Sequence, residues 1–262
     1  MTPEYAHLIK LLEFYQLLGF NRLPFSLSRI DELSRFIELS PAIKVSQNNL
    51  EEQTIEKQTP SVVTESLQKE AEPLTVLSVD EALSRLREKI GDCTRCKLHK
   101  GRHTIVFGEG SDKLRLMFIG EAPGRDEDLQ GRPFVGQAGG LLTKLIIKMG
   151  IKREDVYIAN VVKCRPPQNR APEPDEVALC KPFLLEQIHI IKPAVIMTLG
   201  AVATRNLLEK DASITALRGS VFTFKGAHVV PTFHPAYLLR NRDAKWDTWN
   251  DAQKALKLLS QS

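Results

Sequence analysis

Short apolar runs and amphipathic stretches replace one another in turn through the C-terminal two-thirds of the chain, and this exchange limits the fold more than anything else. Residues 114–119, 156–162, 194–199, 221–224 and 228–233 read as strands. Residues 139–149, 175–191, 201–208 and 244–259 read as helices, and an earlier helix opens at Val79-Asp80-Glu81 and closes at Gly91. The central strands are apolar at nearly every position instead of alternating, which demands cover on both faces and hence a mostly parallel sheet. The expected class is therefore α/β, as a three-layer α/β/α sandwich around that sheet. Open sheets of this kind bind ligands beyond the C-terminal ends of their strands. Three motifs fall there: Gly120-Glu121-Ala122-Pro123-Gly124, Leu199-Gly200-Ala201 and His234-Pro235-Ala236-Tyr237.

The first part of the chain is of another kind. Tyr5, Leu8, Leu12 and Tyr15 mark one face of a helix that stops at Gly19, and Ile30, Leu33, Phe36 and Ile37 mark a second that stops at Ser40-Pro41. Residues 1–43 thus form a helical extension too small to be a robust domain, suited to docking on a protein partner. Residues 44–77, rich in Gln, Asn, Glu, Thr and Ser, read as a linker that buries too little to order itself. The main domain spans residues 78–262. The 262-residue chain shows neither a signal peptide nor a membrane-length apolar run, so a cytoplasmic location, no membrane contact and a monomer are expected. Residues 1–90 carry 10 basic and 14 acidic side chains and the remainder 26 and 18, so the main domain holds an excess of +8. Such an excess suits a polyanion, whose condensed counterions Lys and Arg release.

All four cysteines lie in the main domain. Cys93 and Cys96 form a C-x2-C pair after its first helix, Cys164 follows a strand, and Cys180 lies inside the next helix. In a reducing compartment this pattern points to a metal centre over disulfides, and four thiolates serve zinc or a [4Fe–4S] cluster equally well. Four small core residues are the alternative. Phe134 sits in a loop, as a packing plug or a platform for a nucleobase. A strand-terminal histidine such as His234 is structural or catalytic.

In order and spacing, Cys-x2-Cys, GEAPGRDED, GRPFVGQAGGLL, NVVKCRPPQNRAP, TLGAVA and TFHPAYLLR resemble the family 4, iron–sulfur uracil-DNA glycosylases. The match runs from about residue 90 to residue 241. The resemblance implies [4Fe–4S] ligation by Cys93, Cys96, Cys164 and Cys180. It implies a uracil site of Gly120, Glu121, Ala122, Phe134, Asn160 and His234, with Phe134 stacking, Asn160 reading the ring edge and His234 facing the leaving group. Glu127 and Asn169 are implied to support catalysis; Leu238, Leu239 and Arg240 become candidates to wedge and grip DNA, single- or double-stranded. Ala122 stands where family 1 enzymes carry a water-positioning Asp, so Glu127 or the backbone must hold the water. The loop 217–221 lacks the histidine of a related DNA-crosslinking group, which favours turnover. A module that binds uracil without cleaving it, and an electron carrier with an unrelated pocket, are the alternative readings.

Overall fold

The structure, a computed structural model, describes residues 77–262. The helices expected within 1–43 and, apart from Leu77, the linker expected over 44–77 lie outside the described residues. Helix α1 (Val79–Ile90) starts where a start signal is written. Ser78 Oγ accepts the Glu81 N–H and the Glu81 carboxylate accepts the Ser78 N–H, so two orphan donors of the first turn are satisfied reciprocally. Leu83, Leu86 and Ile90 then share one buried face.

Among the described residues, β1 (Glu109–Gly110), β2 (Leu116–Gly120), β3 (Tyr157–Asn160), β4 (Val195–Leu199), β5 (Phe222–Phe224) and β6 (Ala227–Thr232) form one sheet in the order β1-β3-β2-β4-β6-β5. The inner four strands are parallel and both edges are antiparallel. Each inner strand divides its side chains between two cores. Met117, Ile119, Tyr157, Ala159, Ile196 and Val229 meet α1, α4 (Pro174–Ile191) and α5 (Ala201–Leu208). Leu116, Phe118, Ile158, Val195, Met197 and Val230 face α3 (Gln137–Lys148) and α8 (Ala244–Leu259). This two-sided burial is the reason for the unbroken apolar runs, and it makes the three-layer α/β/α fold. No described helix is long and apolar enough to cross a membrane.

Strand β2 begins later than expected because Arg115 closes a turn, with φ +50° and its N–H donating to Asp112 O at 2.7 Å. Strand β3 ends at Asn160, yet the N–H groups of Val161 and Val162 still donate to Gly120 O and Glu121 O, at 2.9 and 3.2 Å. Three short helices were not expected: α2 (Arg125–Gln130), α6 (Ile214–Leu217) and α7 (Pro235–Arg240). Each has six residues or fewer, too few to write a helical period. Pro235 opens α7 at its first turn, where a proline needs no N–H partner.

Candidate active site and cysteine centre

After β3 the chain crosses β2 to build β4 on its other side, so a crevice must open beyond the strand ends there. A cavity of about 500 Å³ occupies it, with Glu121, Glu127, Phe134, Asn160, Asn169 and His234 on its walls. Ala122 also lines it.

The floor is made by close approach. A Cβ added to Gly120 would lie 2.4 Å from both the Phe134 ring and Asn160 Oδ1, so only glycine lets ring and amide meet over the end of β2. Phe134 adopts φ +52°, a left-handed backbone that costs about 1–2 kcal/mol in a non-glycine residue. Gly139 holds it there: a Cβ at that position would sit 2.0 Å from Phe134 O. The phenyl ring is 6% exposed, and its centroid lies 5.8 Å from that of the His234 ring, tilted by 37°. Asn160 is 1% exposed, and its buried Oδ1 has no hydrogen-bond partner within the protein. An unmet buried acceptor costs about 1–3 kcal/mol, a cost a ligand N–H would remove.

His234 is the N-cap of α7, and its Nδ1 accepts the Ala236 N–H at 3.1 Å. A lone pair must therefore stand on Nδ1, which leaves the proton of a neutral imidazole on Nε2. Burial pushes the His234 pKa down to about 4, against the opposing charge of Glu127, so the ring is neutral at pH 7. Gly200, at φ +90°, makes room behind it; a Cβ there would lie 2.9 Å from His234 Cβ. Glu127 Oε1 accepts the Val135 and Gly136 N–H groups at 2.9 and 3.0 Å, which ties α2 to the loop after Phe134. Burial raises the Glu121 carboxyl above its usual range, with Arg205 opposing. Asn169, at φ +55°, accepts from Arg165 Nε at 2.8 Å.

One expectation is corrected. Leu238 is 6% exposed and turned into the fold, so it is unavailable to DNA. Leu239 (43%) and Tyr237 (46%) point outward on α7, as does Arg240. Arg125, Gln137 and Arg170 also line the cavity and carried no sequence signal of their own. Lys163 did carry one: a charged residue directly after the apolar pair Val161-Val162, and it is 2% exposed.

Cys93, Cys96, Cys164 and Cys180 line a single small cavity together with Ile90 and Phe183, and none is in a disulfide. Three donors face the sulfurs: Arg95 Nη1 to Cys93 at 3.4 Å, Arg102 Nη1 to Cys164 at 3.3 Å and the Lys163 backbone N–H to Cys180 at 3.3 Å. Burial pushes the Cys164 thiol up to about 11, with Arg102 opposing, and raises Cys180 as well. Among the described residues no three His, Cys, Asp or Glu side chains are grouped to hold a single metal ion. The four thiols instead border a shared space, and N–H donors and guanidinium charge beside them suit the sulfurs of a polynuclear cluster.

The model of the uracil DNA glycosylase superfamily matches residues 107–257, a range that holds the sheet, the glycine-floored slot and His234. The chain is 53% identical over 165 residues to the type-4 uracil-DNA glycosylase of Thermotoga maritima, spanning 62% of this chain and 86% of that protein. It is 44% identical over 187 residues to the type-4 enzyme of Sulfurisphaera tokodaii (68% and 85%) and 45% identical over 187 to that of Saccharolobus solfataricus (68% and 87%). The chain belongs to the type-4 uracil-DNA glycosylase family.

Proposed function

We infer that the protein is a DNA-repair glycosylase that takes uracil out of the DNA stack and hydrolyses its N-glycosidic bond, releasing uracil and leaving an abasic site. The observation that carries the assignment of roles is Asn160 Oδ1, a buried acceptor without a partner beside the Phe134 ring. Uracil offers N3–H to that oxygen and O4 to the amide nitrogen, whereas cytosine has a bare N3 and an amino group. Phe134 stacks on the extruded ring and contributes about 1–3 kcal/mol, against a flipping cost of a few kcal/mol.

Bond cleavage leaves an oxocarbenium-like sugar and a uracil anion with charge on O2. His234 Nε2–H donates to that oxygen. A donor placed where charge develops is worth about 10²–10³ in kcat. Glu127, whose charge reaches His234, orients the attacking water with Asn169 and the loop it holds. Leu239 fills the vacated stack, and Arg240 grips the backbone. Arg242 and Lys144, whose charges both reach Lys245, extend that grip with it along the phosphates.

The four cysteines hold a [4Fe–4S] cluster, supported by their common cavity, by the N–H donors at the sulfurs and by the type-4 relatives. When bound, the cluster supplies a thiolate-ligated anchor; the chain's own residues carry every step at the base. Its ligands join the segment after α1, the exit of β3 and α4. For residues 1–43, outside the described residues, a protein partner is the proposed role.

Incubation with a uracil-containing oligonucleotide tests the reading. Free uracil and alkali-labile strand breaks are expected, with single-turnover release slowed about 10²–10³-fold in His234→Ala. Binding without release would favour a non-catalytic module, and an H234A enzyme as fast as the parent would remove His234 from the chemistry.

A further inference from the structure

We propose that Lys163 is a positioning residue for the base-reading Asn160, strung between that strand end and the cysteine centre. The inference rests on the uracil site described above. Lys163 Nζ donates to Asn160 O at 2.9 Å and to Gln187 Oε1 at 2.6 Å, while its backbone N–H donates to Cys180 Sγ at 3.3 Å. One residue thus touches the backbone carbonyl of the base-reading Asn160 and a thiol of the neighbouring centre.

The peptide that follows Asn160 is held from both ends. Its carbonyl accepts from Lys163, and its N–H, belonging to Val161, donates to Gly120 O at 2.9 Å in the floor of the slot. Asn160 therefore cannot pivot without breaking one bond to the floor or one to Lys163. Gln187 is itself fixed: fully buried on α4, it donates to Phe107 O at 2.9 Å and to the Tyr157 hydroxyl at 3.0 Å. The chain of contacts runs from a helix that also carries Cys180 to the edge of the uracil slot.

A filler role would not call for a lysine. Burying an amine among neutral carbonyl partners is costly, and leucine or methionine would occupy the same volume without that cost. The donors earn their place by fixing an acceptor whose position matters, and a supporting shell of this kind separates a working site from a loose one.

A double-mutant cycle on the cluster-containing protein tests this. Lys163→Met is expected to keep the parent's iron content and visible absorbance, to weaken uracil binding by calorimetry, and to slow single-turnover release by about 10–100-fold, the usual cost of losing an outer-shell partner. In an Asn160→Ala background the same change should add no more than about twofold, because its route to the substrate is gone. Equal losses in both backgrounds, parent activity in K163M, or loss of the cluster with it would overturn the proposal. Should K163M fail to accumulate folded, Gln187→Met frees one end of the lysine. A smaller loss that disappears in N160A supports the proposal, and an additive loss overturns it. An N160A enzyme as fast as the parent would sink the reading of Asn160, and this inference with it, whereas additivity sinks this inference alone.

Discussion

The proposed uracil slot and the cysteine centre lie at opposite ends of the five residues from Asn160 to Cys164, and they are built by different means. In the slot, position is set by backbone: Gly120 and Gly139 admit contacts that any Cβ would block, and Phe134 is locked at φ +52°. At the cysteine centre four thiols border a common space, and burial disfavours ionisation of Cys164 and Cys180. Slot rigidity is steric and needs no ligand. Rigidity at the centre would be chemical, and would come with the proposed cluster, whose irons would favour the deprotonated thiols. If Lys163 positions Asn160 as proposed, the contacts it makes would couple the two regions.

Each region can be broken in its own way, and the effects should rank. Cys164→Ala should have the largest, lowering the thermal midpoint and excision together with loss of iron; full stability without the cluster would contradict the anchoring role. Gly120→Val should leave the thermal midpoint far less changed than activity, while cutting excision by more than about 100-fold through displacement of Phe134 and Asn160. Phe134→Ala should slow excision by about 5–150-fold, the kinetic equivalent of about 1–3 kcal/mol of stacking. Glu127→Gln keeps an oxygen for the Val135 and Gly136 N–H groups and should cost less than Glu127→Ala, which drops both; comparing the two separates charge from loop anchoring.

The pH response follows from His234. Its pKa is about 4 in the fold against 6.5 for an unperturbed imidazole, so between those values the unfolded chain takes a proton that the native protein does not. His234 therefore subtracts nothing from stability above about pH 6.5, destabilises progressively as pH falls toward about 4, and adds no further loss below. Excision should be flat from about pH 8 to about pH 5 and fall as the ring protonates near pH 4, since a proton on Nδ1 breaks the bond from Ala236.

The sheet was legible because its central strands are buried on both faces, which writes runs too apolar for anything else of that length. α5 and α8 begin and end where their periodicity stops. The short helices carried no such signal, and this had a consequence at α7. Six residues carry no helical period, so the sequence at 235–240 does not say which leucine faces out; α7 turns Leu238 inward and Leu239 outward. Residue types and strand ends could place His234 near a crevice, whereas Phe134 read only as a loop aromatic, plug or platform. Their roles, and that of Asn160, came from family resemblance, because periodicity says nothing of an unpartnered oxygen or of a tautomer fixed by a cap. Lys163 follows the apolar pair Val161-Val162, yet its partners on α4, Cys180 and Gln187, lie 17 and 24 residues away and could not be read.

The slot proposed for uracil is formed before the base arrives, with a neutral His234 already holding its proton toward the leaving group. Nitrogen-15 NMR of the uracil-free enzyme at pH 7 is the sharpest check. An unprotonated Nδ1 and a protonated Nε2 are expected on His234; an imidazolium, or a ring with its proton on Nδ1, would refute this arrangement.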